Sequence, residues 1–526
     1  MLTHWRAFFR RADAAYIILA LVLLALGAVL RLYDLTDQPI DFHPTRQLRG
    51  AIVARGIYYQ LLPGADETTR QQAAAFWAST GQYEPSILEG LMALTYLAIG
   101  REFFWVGRIY NTLFWLMGGF AVLALARRVV AAQPSGDTQD RTMAVAWLCA
   151  LAALAYNMAL PFGVQASRSL QPDPGMAAWL ALSALALYRW SETRSWRWVL
   201  IGGIVSGMAV LTKAIAVYSA AGMMIALALY SFRKPEQPVS GAAARMLVSP
   251  QLWALAALTL LPTAIYYLSR QGRAAEYFTS WTLALSHLLL EPRFYLSWLN
   301  MIQKLLNPLA LLMAFVGLLL ARRRNQALLW GWWAGYVVYG LFLPYQMTTH
   351  NYYHLQLVPL TALSMTPAFE AGLRFLLRQK MIWRWAASGG VLAVVIWMSW
   401  QALVPLYREN YRNEPVYWQT IASYLPGDGK IVALTQDYGY RLMYYGWRKV
   451  TLWPNRGEIK LSDLRGSSKE FEQYFAKRIQ DKSYFLITAF KQFEDQPELK
   501  QMLYEHYSIL AQGQGYVIFD LTQKKP

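Results

Sequence analysis

Residues 14–47 read AAYIILALVLLALGAVLRLYDLTDQPIDFHPTRQ. The first half is an uncharged apolar run, and a bilayer takes about 20 such residues to cross as a helix. The second half sets Asp41, His43, Arg46 and Gln47 within seven positions, about ten residues beyond the apolar run. Ionisable groups packed this closely against a membrane exit mark a functional site by default; the bland alternative is a charged surface loop.

Composition agrees with a polytopic membrane protein. Of 526 residues 56% are hydrophobic and only 15% charged, with 22 Trp and 33 Tyr to supply interfacial belts. The net charge of +18 would suggest nucleic acid in a soluble chain. Here much of it sits in short basic clusters between apolar runs, so the positive-inside bias explains it and no nucleic-acid partner is expected. The single cysteine, Cys149, excludes an intramolecular disulfide.

Arg6, Arg10 and Arg11 precede the first run and place the N-terminus in the cytoplasm. Further basic clusters follow at 127–141, 189–197, 233–245, 322–324 and 374–384. Apolar runs at 104–126, 142–161, 174–188, 198–212, 214–231, 251–269, 303–321, 326–345, 354–372 and 385–405 fill the intervals. With the first span this predicts about eleven crossings. An odd number puts the C-terminal region outside, in a plasma membrane of bacterial type. That topology gathers Asp41, Glu84, Arg168, Asp173, Lys213, His350 and His354 on one membrane face.

Within residues 42–100 the spacing predicts two interfacial helices, 48–59 and 86–99. The alternative for the second is a short true crossing. Asp173 lies between Pro172 and Pro174, at the mouth of a span, where it either caps the helix or serves a site. Lys213, between two apolar runs, either snorkels to water or pairs with a phosphate. In TTHNYYH (348–354) the His-x3-His spacing puts both imidazoles on one face if the segment is helical. With no acid nearby, phosphate contact outranks a metal; belt residues are the other reading. Beyond residue 407 the chain turns polar, with strand-like runs at 430–435, 484–488 and 515–520 between helical stretches. The pattern predicts two domains: a transmembrane helical domain, 1–407, and a small extracytoplasmic α/β domain, 408–526. PGDGK at 426–430 reads as a turn and lacks the phosphate-loop pattern.

Taken in order, TRQLRGAIVAR (45–55), YEPSILEGL (83–91), VGRIYN (106–111), SRSLQPDPGMAAWLALSALALYRW (167–190), GMAVLTKAIAV (207–217) and HNYYHLQLVPLTAL (350–363) resemble the GT-C glycosyltransferases. The group in question contains protein O-mannosyltransferases and lipid A aminoarabinose transferases. The resemblance covers about the first 370 residues. It implies a membrane enzyme that takes sugar from a polyprenyl-phosphate-linked donor on the outer face, with inversion, and passes it to a hydroxyl of a glycan, lipid or protein. It also implies a first-loop acidic base. Many relatives carry Asp-Glu where this chain has Arg46-Gln47; another branch has an Asp where this chain has Arg49. The nearest carboxylate is Asp41, which takes the role here, while Glu84 and Asp173 match the family's other acidic positions.

A carboxylate that removes the acceptor proton makes the hydroxyl a competent nucleophile, and cations stabilise the departing lipid phosphate. Arg46, Lys213, His350 and His354 are the candidate cations, with His43, Gln47, Arg168 and Tyr353 as further substrate contacts. Nothing in the sequence requires a divalent cation. The rival readings are a non-catalytic lipid-glycan binding protein and a lipid-linked sugar transporter or flippase, whose charges belong near the bilayer midplane.

Overall fold

A backbone surrounded by lipid has no water to bond to, so apolar runs satisfy their peptide groups internally as helices. The computed structural model describes residues 11–81, 84–131, 139–233, 239–269, 279–426, 430–464 and 470–525. Arg6, Arg10, Lys234 and most of PGDGK lie outside these residues. Helices run in chain order as α1 (Arg11–Leu32), α2 (Pro44–Leu61), α3 (Glu67–Ser79), α4 (Ile87–Ile99), α5 (Trp105–Ala131), α6 (Gln139–Ala159), α7 (Pro161–Arg168) and α8 (Asp173–Thr193). Next come α9 (Trp196–Thr212), α10 (Ala216–Phe232), α11 (Val239–Leu247), α12 (Pro250–Leu268), α13 (Pro292–Leu306), α14 (Pro308–Leu320), α15 (Arg323–Phe342) and α16 (Pro344–Thr349). Then follow α17 (Leu357–Leu376), α18 (Met381–Arg408), α19 (Glu414–Ser423) and α20 (Tyr440–Gly446).

The chain forms two compact units. The first comprises residues 1–35, 83–87 and 107–408; the second comprises 36–82, 88–106 and 409–526. In the first unit every one of the eleven expected spans contains a helix. Among the described residues, five helices are long and apolar enough to cross a membrane, or six if the bent pair α13–α14 counts as one span. The expected eleven is larger because it counted shorter and more polar segments: α9 and α10 have 17 residues each, and α8 carries Asp173, Arg189 and Glu192. The 100° bend between α13 and α14 has a local cause. Asn307 adopts a positive φ of 72° and its side chain accepts the Leu309 N–H, while Pro308 supplies no N–H to continue α13. Helices α10 and α15 approach so closely that a Cβ on Gly222 would collide with the Gly331 carbonyl. Small residues there let two backbones pack without help from a hydrophobic effect.

The second unit contains a five-stranded sheet in the order β2-β1-β3-β5-β4. Strand β1 (Ile431–Leu434) runs parallel to β2 (Thr451–Leu452) and β3 (Tyr484–Ile487). Strand β5 (Tyr516–Lys524) is antiparallel to β3 and to β4 (Tyr507–Gly513). The central strands are apolar on both faces because both are covered; Val432, Leu434, Trp453, Phe475, Phe485 and Phe519 form the core. The reading of residues 1–407 as one domain places 36–82 with the helical bundle; by contact they belong with 409–526. Arg55 of α2 explains how. Its guanidinium bonds Glu102 at 2.8 Å and the Tyr444 carbonyl at 2.7 Å, and lies 4.1 Å and 4.6 Å from the ring centres of Tyr444 and Trp447. A desolvated cation held on two aromatic faces and one carboxylate ties the loop helices to the α20 end of the chain.

Candidate active site

In the helical unit the sequence SLQPDP ends α7 and starts α8. Pro172 and Pro174 flank Asp173, which becomes the first residue of α8, where the helix N-terminus favours a carboxylate. The turn is held by Asn111 of α5, whose amide donates to the carbonyls of Ser169 (2.5 Å) and Gln171 (3.1 Å). The Gln171 amide in turn donates to Ser169 Oγ at 2.7 Å. Asn111 went unnoticed in the sequence, although an amide in an apolar helix is a signal in its own right.

Lys213 follows the last residue of α9 in an extended conformation that turns its side chain inward. Its Nζ donates to Asp173 Oδ1 at 2.7 Å. The ammonium also lies 3.9 Å from the Tyr353 ring centre and 5.1 Å from that of Tyr352. Lys213 and Asp173 are both buried, and Asp173 Oδ2 has no hydrogen-bond partner. Three expected residues, Asp173, Lys213 and Tyr353, therefore meet across 180 positions of chain. A buried carboxylate oxygen left open beside a fixed ammonium is a polar site of the kind that ligands complete.

His350 sits beside this group in the turn before α17, half-buried, bonded to Thr349 Oγ1 at 2.7 Å and edge-on to Tyr352. His354 is different. It is fully buried with both ring nitrogens engaged: Nε2 faces the Met347 carbonyl at 3.0 Å and Nδ1 faces Tyr336 Oη at 2.7 Å. A carbonyl only accepts, so Nε2 carries a proton. Tyr336 accepts in turn from Trp298 Nε1 at 2.7 Å. His354 is thus held in the core at both ring nitrogens, and the Asn351–His354 segment is a tight 3-10 turn, not an α-helical face shared with His350.

Arg168 is engaged in a similar way. Its guanidinium donates to the carbonyls of Arg31, Tyr33 and Asp34 at 3.2, 2.8 and 3.1 Å. These carbonyls lie at and just past the end of α1, so Arg168 caps that helix C-terminus. Arg31, which drew no attention in the sequence, is its buried companion: it donates to Ser167 Oγ at 2.6 Å and to the Met158 carbonyl at 2.9 Å. Glu84 belongs to this first unit and is half-buried.

The second unit holds the rest of the expected residues. His43, at φ 46°, is the residue before α2, and Pro44 opens the helix. That reversal directs Gln47 back over the preceding turn. Gln47 is fully buried, and its amide donates to Asp41 Oδ1 at 2.8 Å and to the Phe42 carbonyl at 2.7 Å. Gln47 thereby holds the Asp41 carboxylate in place while leaving its second oxygen to other partners. Asp41 and Arg46 are half-buried. Burial, a hydrogen bond to Glu409 and the charges of Glu409 and Asp41 raise the phenol of Tyr411 above its usual value, which places Tyr411 in the field of Asp41. One residue away from Arg46, Thr45 donates to Asp437 Oδ1 at 3.1 Å, and Arg441 donates to the other oxygen of Asp437 at 2.6 Å. Among the described residues no group of three or more His, Cys, Asp or Glu side chains is placed to hold a metal ion.

Residues 141–254 match the family model described as dolichyl-phosphate-mannose-protein mannosyltransferase. That segment includes the Asp173 turn and Lys213. Among solved structures, ArnT from Cupriavidus metallidurans in the apo state matches with a TM-score of 0.60, covering 97% of this chain and 98% of that one at 12% identity. The chain has the GT-C fold. ArnT from the same organism bound to undecaprenyl phosphate matches with a TM-score of 0.54 at 13% identity, over 96% of this chain and 97% of that one. No curated protein matches the sequence. With this fold and its apolar helices, the chain is an integral membrane protein.

Proposed function

We propose that the chain is a glycosyltransferase that moves a sugar from a polyprenyl-phosphate-linked donor to an acceptor hydroxyl on the extracytoplasmic face, with inversion. In this reading the eleven helical segments cross the membrane, the N-terminus is cytoplasmic and residues 408–526 form an extracytoplasmic α/β domain. Asp41, steadied by Gln47, takes the acceptor proton as the hydroxyl oxygen bonds to the anomeric carbon. The bond from that carbon to the phosphate oxygen breaks, and the lipid phosphate leaves against Lys213, with Arg46 and His350 as further cations. Asp173 and Tyr353 hold the ammonium where the phosphate arrives; Glu84 and His43 remain candidates for sugar contact.

The buried Asp173–Lys213 pair carries this reading: it lies in the segment matched by a mannosyltransferase model, and a similar solved structure, ArnT from Cupriavidus metallidurans, is bound to undecaprenyl phosphate. Helix position argues against the transporter alternative. Asp173 begins α8, Lys213 follows α9 and His350 follows α16, so the charged groups lie at helix ends, whereas a transporter's belong near the bilayer midplane. The test is a transfer assay on the full chain in lipid nanodiscs with a panel of radiolabelled polyprenyl-phosphate sugars. Turnover of at least one donor is expected, abolished by Asp41→Asn with expression intact. Full transfer by Asp41→Asn rejects the base; binding of donor without any transfer favours the lipid-glycan binding reading.

A further inference from the structure

A second charged cluster lies at a different set of helix ends in the helical unit. Arg128 is in the last turn of α5, Arg189 and Glu192 close α8, and Arg324 opens α15. All three arginines converge on the one carboxylate: Arg128 Nε lies 2.6 Å, Arg189 Nη1 2.9 Å and Arg324 Nη1 3.7 Å from Glu192 oxygens. Two positive charges are left in excess within this group. Arg194, just past the end of α8, stands over the rings of Phe232 and Trp190 at 3.8 and 4.6 Å. Arg324 stands near Tyr188 and Tyr230 at 5.6 and 5.7 Å.

A guanidinium N–H that is out of water without an acceptor is costly, and native proteins rarely leave one so. One such atom occurs in this cluster: Arg324 Nε is buried and reaches no acceptor. Excess charge and an open donor in one cluster call for an anion with several acceptor oxygens, and a phosphate fits planar guanidinium forks best. The surroundings identify the source. Exposed Trp196 and Trp253 sit at the starts of α9 and α12, as aromatic residues do at headgroup level. Basic pockets between membrane helices hold anionic headgroups at that depth.

We propose that Arg128, Arg189 and Arg324 form a binding site for the phosphate of an anionic phospholipid, separate from the Asp173–Lys213 site. Its role does not depend on the glycosyltransferase reading. The test uses the full chain, delipidated in detergent and titrated with phosphatidylcholine, phosphatidylglycerol, cardiolipin or inorganic phosphate. Retained lipid is read by native mass spectrometry and thermal stability by intrinsic fluorescence.

Phosphatidylglycerol and cardiolipin are expected to be retained and to raise the melting temperature, and phosphatidylcholine is not. Arg128→Gln, at the most exposed member, is expected to weaken retention about fivefold, the size of one arginine at a charged membrane surface. Arg324→Gln is expected to do the same; if that variant does not fold, Arg189→Gln replaces it. Glu192→Gln removes the competing carboxylate and is expected to retain lipid at least as well as the natural chain. Arg408→Gln, at the far end of α18, is expected to change nothing. Equal retention of phosphatidylcholine, or anionic retention unchanged by Arg128→Gln and Arg189→Gln, overturns the site. A response to inorganic phosphate alone overturns the lipid and assigns the cluster to a free phosphate.

Discussion

Replacing Lys213 by Met removes an ammonium that is 5% exposed and bonded at 2.7 Å to a carboxylate that is 0% exposed. The methionine keeps most of the volume, so the change is mainly electrostatic. Asp173 is left with one oxygen that already lacks a hydrogen-bond partner and a second that has just lost its ammonium partner. Breaking a buried ion pair by deleting one member costs about 3–5 kcal/mol, because the remaining charge is uncompensated. Removing both members is far cheaper, since the pair's mutual attraction only offsets what burial cost each of them. Lys213→Met is therefore expected to lower stability by about 3–5 kcal/mol and the double variant Asp173→Asn/Lys213→Met to recover most of it. Transfer is expected to stay about 100-fold down in both, because the cation that meets the leaving phosphate is gone. Thermal unfolding in nanodiscs and single-turnover transfer with a fixed donor measure the two quantities separately. A double variant no more stable than Lys213→Met refutes the argument about the pair; a stable double variant with normal transfer refutes the role of the cation.

Three further outcomes follow from the same structure. Gln47→Leu releases the Asp41 carboxylate from its amide donor. It is expected to cut transfer about tenfold, the worth of roughly one hydrogen bond to a charged group, and to shift the pH profile of transfer with little change in donor KM. Arg55→Leu leaves Glu102 without its guanidinium and vacates the faces of Tyr444 and Trp447, a loss of about 3 kcal/mol confined to the second unit. Faster proteolysis within residues 409–525 and unchanged melting of the helical unit are the readouts. Gly222→Ala sets a methyl group against the Gly331 carbonyl, and the two helices must separate. A cost of about 1–3 kcal/mol in thermal unfolding is expected, as for overpacking elsewhere.

Much of the architecture is legible in the residues alone. Apolar runs become helices wherever a lipid environment denies the backbone any other partner, so each of the eleven runs is helical in the structure. The runs at 430–435, 484–488 and 515–520 coincide with β1, β3 and most of β5, because buried strands need apolar residues on both faces. Asp41, Asp173 and Lys213 also stand out in the sequence, since ionisable groups beside apolar segments are rare.

Partnership is what the tertiary structure decided. Asp173 and Lys213 are forty residues apart, and only the packing of α8 beside α9 brings their heads to 2.7 Å. Arg168 and Lys213 look equivalent in sequence, both cations at the edge of an apolar run. The first points at open carbonyls and completes a helix end; the second points at a carboxylate and a tyrosine ring and stays chemically poised. His350 and His354 part in the same way, one half-buried against Tyr352 and Tyr353 and one locked by Tyr336 and Met347. The reason is physical: periodicity and hydropathy depend on each residue and its near neighbours, and so are written along the chain. The use of a charged head depends on which donors and acceptors from distant segments surround it, and that exists only once the helices have packed.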